Sequence, residues 1–148
     1  MRFVIQRVKH AKVEVDGRTT GSIEDGFLVL AGVCEEDDTA VADKMVKKLC
    51  AMRIFADENG KTNLALSDVG GQLLIISQFT LYADCRHGNR PSFTRAAGAE
   101  KAEELYEYIL NKASEQIPGV QAGIFGADMK VELLNDGPFT IILDSSEL

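Results

Sequence analysis

A chain of 148 residues, 45% hydrophobic and 26% charged, has room for one packed core and not comfortably for two. Its formal charge of −7 argues against a general nucleic-acid face, because phosphate binding needs local Lys and Arg density, and DNA is not an expected partner. No run nears the roughly 20 apolar residues of a membrane span, and three scattered cysteines (Cys34, Cys50 and Cys85, none in a CxxC pair) predict a reducing, cytoplasmic setting.

The opening MRFVIQRVKH lacks the apolar stretch and small-residue cleavage site of a leader. In AKVEVDG, Ala11, Val13 and Val15 alternate with Lys12, Glu14 and Asp16 before Asp16-Gly17, a hairpin signal. GFLVLAGV, residues 26–33, is a continuous apolar run, as in a strand covered on both faces. After EEDDT the period changes. Val41, Met45, Leu49 and Met52 share one helical stripe over 39–53, with Asp37 or Asp38 available as cap. Asn59-Gly60 marks a turn. QLLIISQFTL, 72–81, reads as a second central strand that turns polar at Ser77-Gln78. A second helix over 98–117 faces inward through Ala102, Leu105, Ile109 and Ala113, and Pro118-Gly119 stops it. Three short strands follow: VQAGIF, MKVELL and FTIIL.

The order is two strands, two βα units, then three strands, with no linker or repeat. It predicts one α/β domain over 1–148: a mixed sheet with two helices on one face and an antiparallel β layer on the other.

Several sources of chemistry can be weighed. NGKT, 59–62, lacks the earlier glycine of a phosphate loop, having Phe55 there. A metal centre is not expected, because His10, His87 and the cysteines supply only one close pair, Cys85 and His87. Ser77, His87 and Asp84 nominally make a triad, but no G-x-S-x-G elbow exposes the serine. Cys85 beside His87 could be a nucleophile, though a lone cysteine is more often inert. The stretch 84–95 gathers Arg86, Arg90, Arg95 and His87 against Asp84. It is either a solvated basic loop or a seat for one anionic ligand end. The polar switch in SQFTLYAD falls at the carboxyl end of a strand, where α/β sheets bind ligands. It is either a strand reaching solvent or a place where the N–H groups of Phe79 and Thr80 hold an oxyanion. NDGP, 135–138, reads alone as a turn, with Pro138 heading the last strand.

Together these segments resemble the D-aminoacyl-tRNA deacylases over nearly the whole chain. The resemblance is carried by MRFVIQRV with AKVEVDG, SQFTLYAD, GNRPSF and GIFGADMKVELLNDGPFT. Its specific parts are Ser77-Gln78-Phe79-Thr80-Leu81 and Asn135-Asp136-Gly137-Pro138. A related class that edits other mischarged tRNAs is similar at the Gly-Pro segment but lacks Ser-Gln-Phe-Thr. One variation is Phe139, where a smaller β-branched residue is common; it is expected to affect packing only.

The resemblance implies a cofactor-free homodimeric hydrolase acting in translation quality control, with tRNA as its partner. Ser77, Gln78, Phe79 and Thr80 form the catalytic segment. Asn135, Gly137 and Pro138 reject L-amino acids, the Gly137-Pro138 bond being cis and its carbonyls reaching into the other subunit's site. Arg86, Arg90 and Arg95 are candidates for tRNA contacts. A pocket that merely prefers one shape gains about 10–200-fold, whereas ten-thousandfold discrimination needs about 5.5 kcal/mol. Fixed oxygens set against the wrong substituent supply this by repulsion. Glycine has no Cβ to repel, so cleavage of glycyl-tRNA mischarged on tRNA-Ala is expected. With no general base in view, the expected chemistry is water attack on the ester, oxyanion stabilisation by backbone N–H groups and assistance from the tRNA 2′-OH. The alternatives are a Thr80 nucleophile, a non-catalytic RNA-binding module, and a small-molecule esterase using Ser77 or Cys85.

Overall fold

A computed structural model describes residues 1–148. The chain opens with a long bent hairpin. Strand β1 (Arg2–Val15) pairs antiparallel first with β3 (Gly26–Gly32) and, further along the same edge, with β2 (Arg18–Ile23). The reversal is at Asp16 and Gly17, with φ of 50° and 76°. Two consecutive positive φ values are what the tight turn between right-twisted strands demands, and Asp-Gly adopts them at low cost. β2 then curls over the sheet towards β7 (Val120–Ala122). The missing side chain of Gly21 permits this, since a Cβ there would lie 2.7 Å from the Ala122 carbonyl oxygen.

Beyond β3 lie β6 (Gln72–Ser77) and β7, both parallel to their neighbours. Parallel neighbours need crossovers. The first contains helix α1 (Thr39–Ala51) and a small separate hairpin of β4 (Arg53–Ala56) and β5 (Thr62–Ala65); the second contains helix α2 (Ala99–Ser114). Asp38 caps α1, accepting the Val41 N–H at 2.8 Å. Residues in α1 and α2, including the expected Met45, Leu49, Leu105 and Ile109, join one apolar cluster on a single face of the sheet.

The unbroken apolar runs follow from this layering. In β3, Phe27, Val29 and Ala31 enter the helix-side cluster while Leu28 enters a second cluster beneath the curled hairpin. Leu73 and Ile75 of β6 alternate with Leu74 and Ile76 in the same way. The fold class is the expected one. The β4–β5 hairpin is additional, because the sequence shows only a turn there.

The C-terminal segment departs from expectation. MKVELL and FTIIL are not two strands joined by a turn. They are halves of one strand, β8 (Lys130–Asp144), antiparallel to β1 throughout. Val8 pairs with Asn135 and Gln6 with Thr140, so Asp136 to Phe139 stand opposite the single residue Arg7. NDGP is a mid-strand bulge that pushes backbone outward without reversing the chain.

Candidate active site

From Leu73 to Ile76 β6 is apolar and buried, and its pairing with β3 ends at Ser77. The Gln78 N–H then donates to the Ala31 carbonyl at 2.8 Å, and Phe79–Tyr82 form one 3-10 turn. The turn lies close over β3 because Gly32 has no side chain, for a Cβ there would be 3.0 Å from Leu81 Cβ and 3.1 Å from the Gln78 oxygen. Its first internal bond is Leu81 N–H to the Gln78 oxygen, 3.3 Å. The N–H groups of Phe79 and Thr80 precede that bond and have no partner within the turn.

Beside the turn lies a cleft of about 510 Å³, lined by Ser77, Gln78 and Phe79, by Ala99 and Ala102 of α2, and by Phe125 and Met129 before β8. Its one titratable side chain is Asp128, which is 87% exposed and paired with Lys130 at 2.9 Å. An ion-paired carboxylate open to water is a poor general base. Thr80 is exposed and does not line the cleft; its hydroxyl accepts the Gln78 side-chain amide N–H at 2.6 Å. An amide donor cannot take a proton from that hydroxyl, so Thr80 has no activating base there. Nor does a triad form. Asp84 receives the Arg86 guanidinium, Nη2 to Oδ2 at 2.6 Å, and those bonds hold its carboxyl far below the usual range. Cys85 and His87 are both exposed.

The 84–95 segment is tied to the turn. Ser92 and Asp84 exchange backbone bonds of 2.7 and 2.9 Å. Phe93 meets Phe79 edge to face at 5.1 Å, and Arg95 lies 5.8 Å from the Tyr82 ring centre. Tyr82 is buried, which raises its hydroxyl pKa and keeps it neutral. All three arginines singled out are exposed; Arg86 pairs with Asp84 and Arg95 lies by the Tyr82 ring, while Arg90 makes neither kind of contact.

The second motif is elsewhere. In the β8 bulge the Gly137-Pro138 peptide is cis, and both residues are exposed. Neither lines the cleft. Asn135 clamps the bulge: its Oδ1 accepts the Phe139 N–H at 2.7 Å and its Nδ2 donates to the Phe139 oxygen at 3.2 Å. Two side-chain bonds thus replace the ladder bonds that the excursion removes. Arg7 grips the bulge from β1, donating to the Asp136 oxygen at 3.0 Å and to the Ile54 oxygen at 2.6 Å, with Phe139 4.6 Å beneath its guanidinium. Phe139 packs against the helix-side core. Arg7 gave no signal in the sequence, where a cation on an alternating strand looks like a solvated one.

The chain as a whole matches a known family. The model of the D-Tyr-tRNA(Tyr) deacylase family matches residues 4–144. The chain belongs to that family. Curated D-aminoacyl-tRNA deacylases similar to it include that of Clostridium novyi, 52% identical and covering 99% of both chains. That of Stutzerimonas stutzeri is 54% identical, covering 98% of this chain and all of its own. Among solved structures, one titled c-Myc DNA Unwinding Element Binding Protein superposes with a TM-score of 0.92 at 37% identity, covering 97% of this chain and 98% of that one. Another, of a probable eukaryotic D-amino acid tRNA deacylase, gives 0.83 at 14% identity over 96% of this chain and 97% of that one; at that identity it speaks for the fold alone.

Proposed function

We propose that this chain is a D-aminoacyl-tRNA deacylase that hydrolyses the ester at the tRNA 3′ end and leaves L-aminoacyl-tRNA intact. The observation that carries the reading is the switch at Ser77 from a buried strand to a 3-10 turn with two N–H groups unpartnered within it, beside a largely apolar cleft. The cleft is the seat of the terminal adenosine, with Ser77 and Gln78 at its polar edge. Water adds to the ester carbonyl carbon, and the oxyanion that forms is held by the N–H of Phe79, assisted by that of Thr80. The bond to the ribose 3′ oxygen then breaks. The water proton passes by way of the tRNA 2′-OH to the departing oxygen, giving free D-amino acid and tRNA. No side chain forms a covalent intermediate, in keeping with the absence of a nucleophile–base pair at the cleft.

Chiral rejection is the work of a second copy. Gly137 and Pro138 do not line their own cleft, and the sheet face bearing Ile142, 66% exposed, has no covering element in the single chain. Docking of two such faces brings the bulge of one protomer to the cleft of the other. Its carbonyls then occupy the volume of an L side chain. Glycyl-tRNA, lacking a Cβ, is cleaved as well. Arg90 contacts acceptor-end phosphate.

The test is to incubate the purified chain with D- and L-tyrosyl-tRNA and follow release of the amino acid. Rapid loss of the D form alone is expected. Equal rates for both enantiomers contradict chiral rejection, and binding without turnover favours an RNA-binding module.

A further inference from the structure

Arg2, the first residue of β1, touches the 79–82 turn. Its Nη1 donates to the Leu81 carbonyl at 2.8 Å and its Nε to Asp144 Oδ2 at 2.8 Å, while the guanidinium lies 5.2 Å from the Tyr82 ring centre. Asp144 faces Arg2 across the β1–β8 ladder. It is itself fixed, accepting the Ser146 N–H at 3.0 Å and the Ser146 hydroxyl at 2.8 Å.

A four-residue 3-10 turn has few bonds of its own, and its last carbonyls lack internal partners. Its direction is therefore set by whatever ties it down. On the near side those ties are the Gln78 N–H to Ala31 and the close approach at Gly32. On the far side they are the buried Tyr82 ring and the Leu81 carbonyl held by Arg2. Loss of Arg2 leaves the far side held by the buried Tyr82 ring alone, which fixes that side chain but lets the peptide planes of Phe79 and Thr80 swing. Arg2 suits this task better than lysine, since its planar fork reaches two acceptors at once in fixed geometry. The pair also belongs to neither apolar cluster, so its loss should disturb the turn more than the fold.

We propose that Arg2, braced by Asp144, is a positioning residue for ester hydrolysis: it holds the 79–82 turn so that the Phe79 and Thr80 N–H groups stay aimed at the reacting carbonyl oxygen. The inference rests on the oxyanion reading given above.

Steady-state kinetics on D-tyrosyl-tRNA for Arg2→Gln, Arg2→Lys, Asp144→Asn and the Arg2→Gln/Asp144→Asn double variant test it. Misplacement of about 1 Å costs up to about 100-fold. The expected result is thus a kcat lowered about 10- to 100-fold in Arg2→Gln, a smaller loss in Asp144→Asn, and KM changed by less than about twofold. The double variant should be no worse than Arg2→Gln, because the two side chains act as one unit. Arg2→Lys should recover part of kcat. Parental kcat in both Arg2→Gln and Asp144→Asn overturns the proposal, as do losses that merely add. If Arg2→Gln does not fold, Asp144→Asn decides alone, since its amide oxygen can still accept from Ser146. Replacing the Phe79 backbone N–H with an ester oxygen separates the two layers. A silent ester substitution sinks the oxyanion reading and this inference with it. Abolished turnover there, beside unchanged Arg2→Gln, sinks the positioning role alone.

Discussion

On the proposed reading, Thr80 and Asn135 serve the chemistry through the groups they brace and do not perform it. The Thr80 hydroxyl is engaged by the Gln78 amide outside the cleft, so Thr80→Ala should leave turnover of D-tyrosyl-tRNA near normal. A fall of several orders of magnitude would instead mark a nucleophile. Asn135 holds Phe139, at the far end of the bulge, by both its N–H and its carbonyl. Asn135→Ala should lower the D-over-L ratio of kcat/KM mainly by raising the L rate, with the D rate little changed; an unaltered ratio argues that the bulge is self-supporting. Gly137→Ala tests the same feature harder, because an added Cβ would meet the Phe139 nitrogen at 2.6 Å. The Ser-Gln switch could be read from the residues, since it interrupts an apolar run, whereas NDGP alone reads as a turn and only the family resemblance singles it out. Arg2 and Arg7 could not be read either way. Their meaning depends on carbonyls 79 and 129 residues away in the chain, and no local pattern records such partners.

Among the elements, the hairpin and both helices were legible because local chemistry specifies them. Asp16-Gly17 supplies the turn and Asp38 the cap, and the three-to-four-residue spacing of apolar side chains picks the buried stripe. β8 was misread for a reason of the same kind. Turn residues between two alternating runs look identical whether the chain reverses or bulges, and only pairing with β1 decides. The two ends of the chain are joined at Asp144, whose carboxyl is pulled down to about 2: burial alone would raise it, but the bonds from Ser146 and Arg2 outweigh that cost. A carboxylate with a lower pKa folded than unfolded adds stability that is fully present above its ordinary 3.8 and lost as pH falls towards 2. The contribution is of order 2 kcal/mol at neutral pH. Urea midpoints should therefore drop between about pH 4 and pH 2, and drop less in Asp144→Asn. Parallel pH curves for the two proteins would contradict this.

For the molecule as a whole, a net charge of −7 leaves binding of an acceptor stem to very few cations. Arg86 is already neutralised by Asp84 and Arg95 lies by the Tyr82 ring, which leaves Arg90 as the one of these three arginines open to a phosphate. Arg90→Ala should reduce the slope of log affinity against log salt by about 0.7–0.9, as for one released counterion, while Arg86→Ala should change it less. Equal effects, or none, would move the phosphate contact elsewhere. The two candidate segments meet on one strand. Arg2 ties the turn and Arg7 grips the bulge, and five residues of extended chain set their anchor points about 17 Å apart. β1 is in this sense a measuring rod. Lengthening it by a single residue between those arginines would add about 3.4 Å and rotate one of the two guanidinium groups to the opposite side of the sheet. Phe3 and Ile5 tie this stretch to the core by their packing, and its two arginines tie it by length, so it can neither gain nor lose a residue.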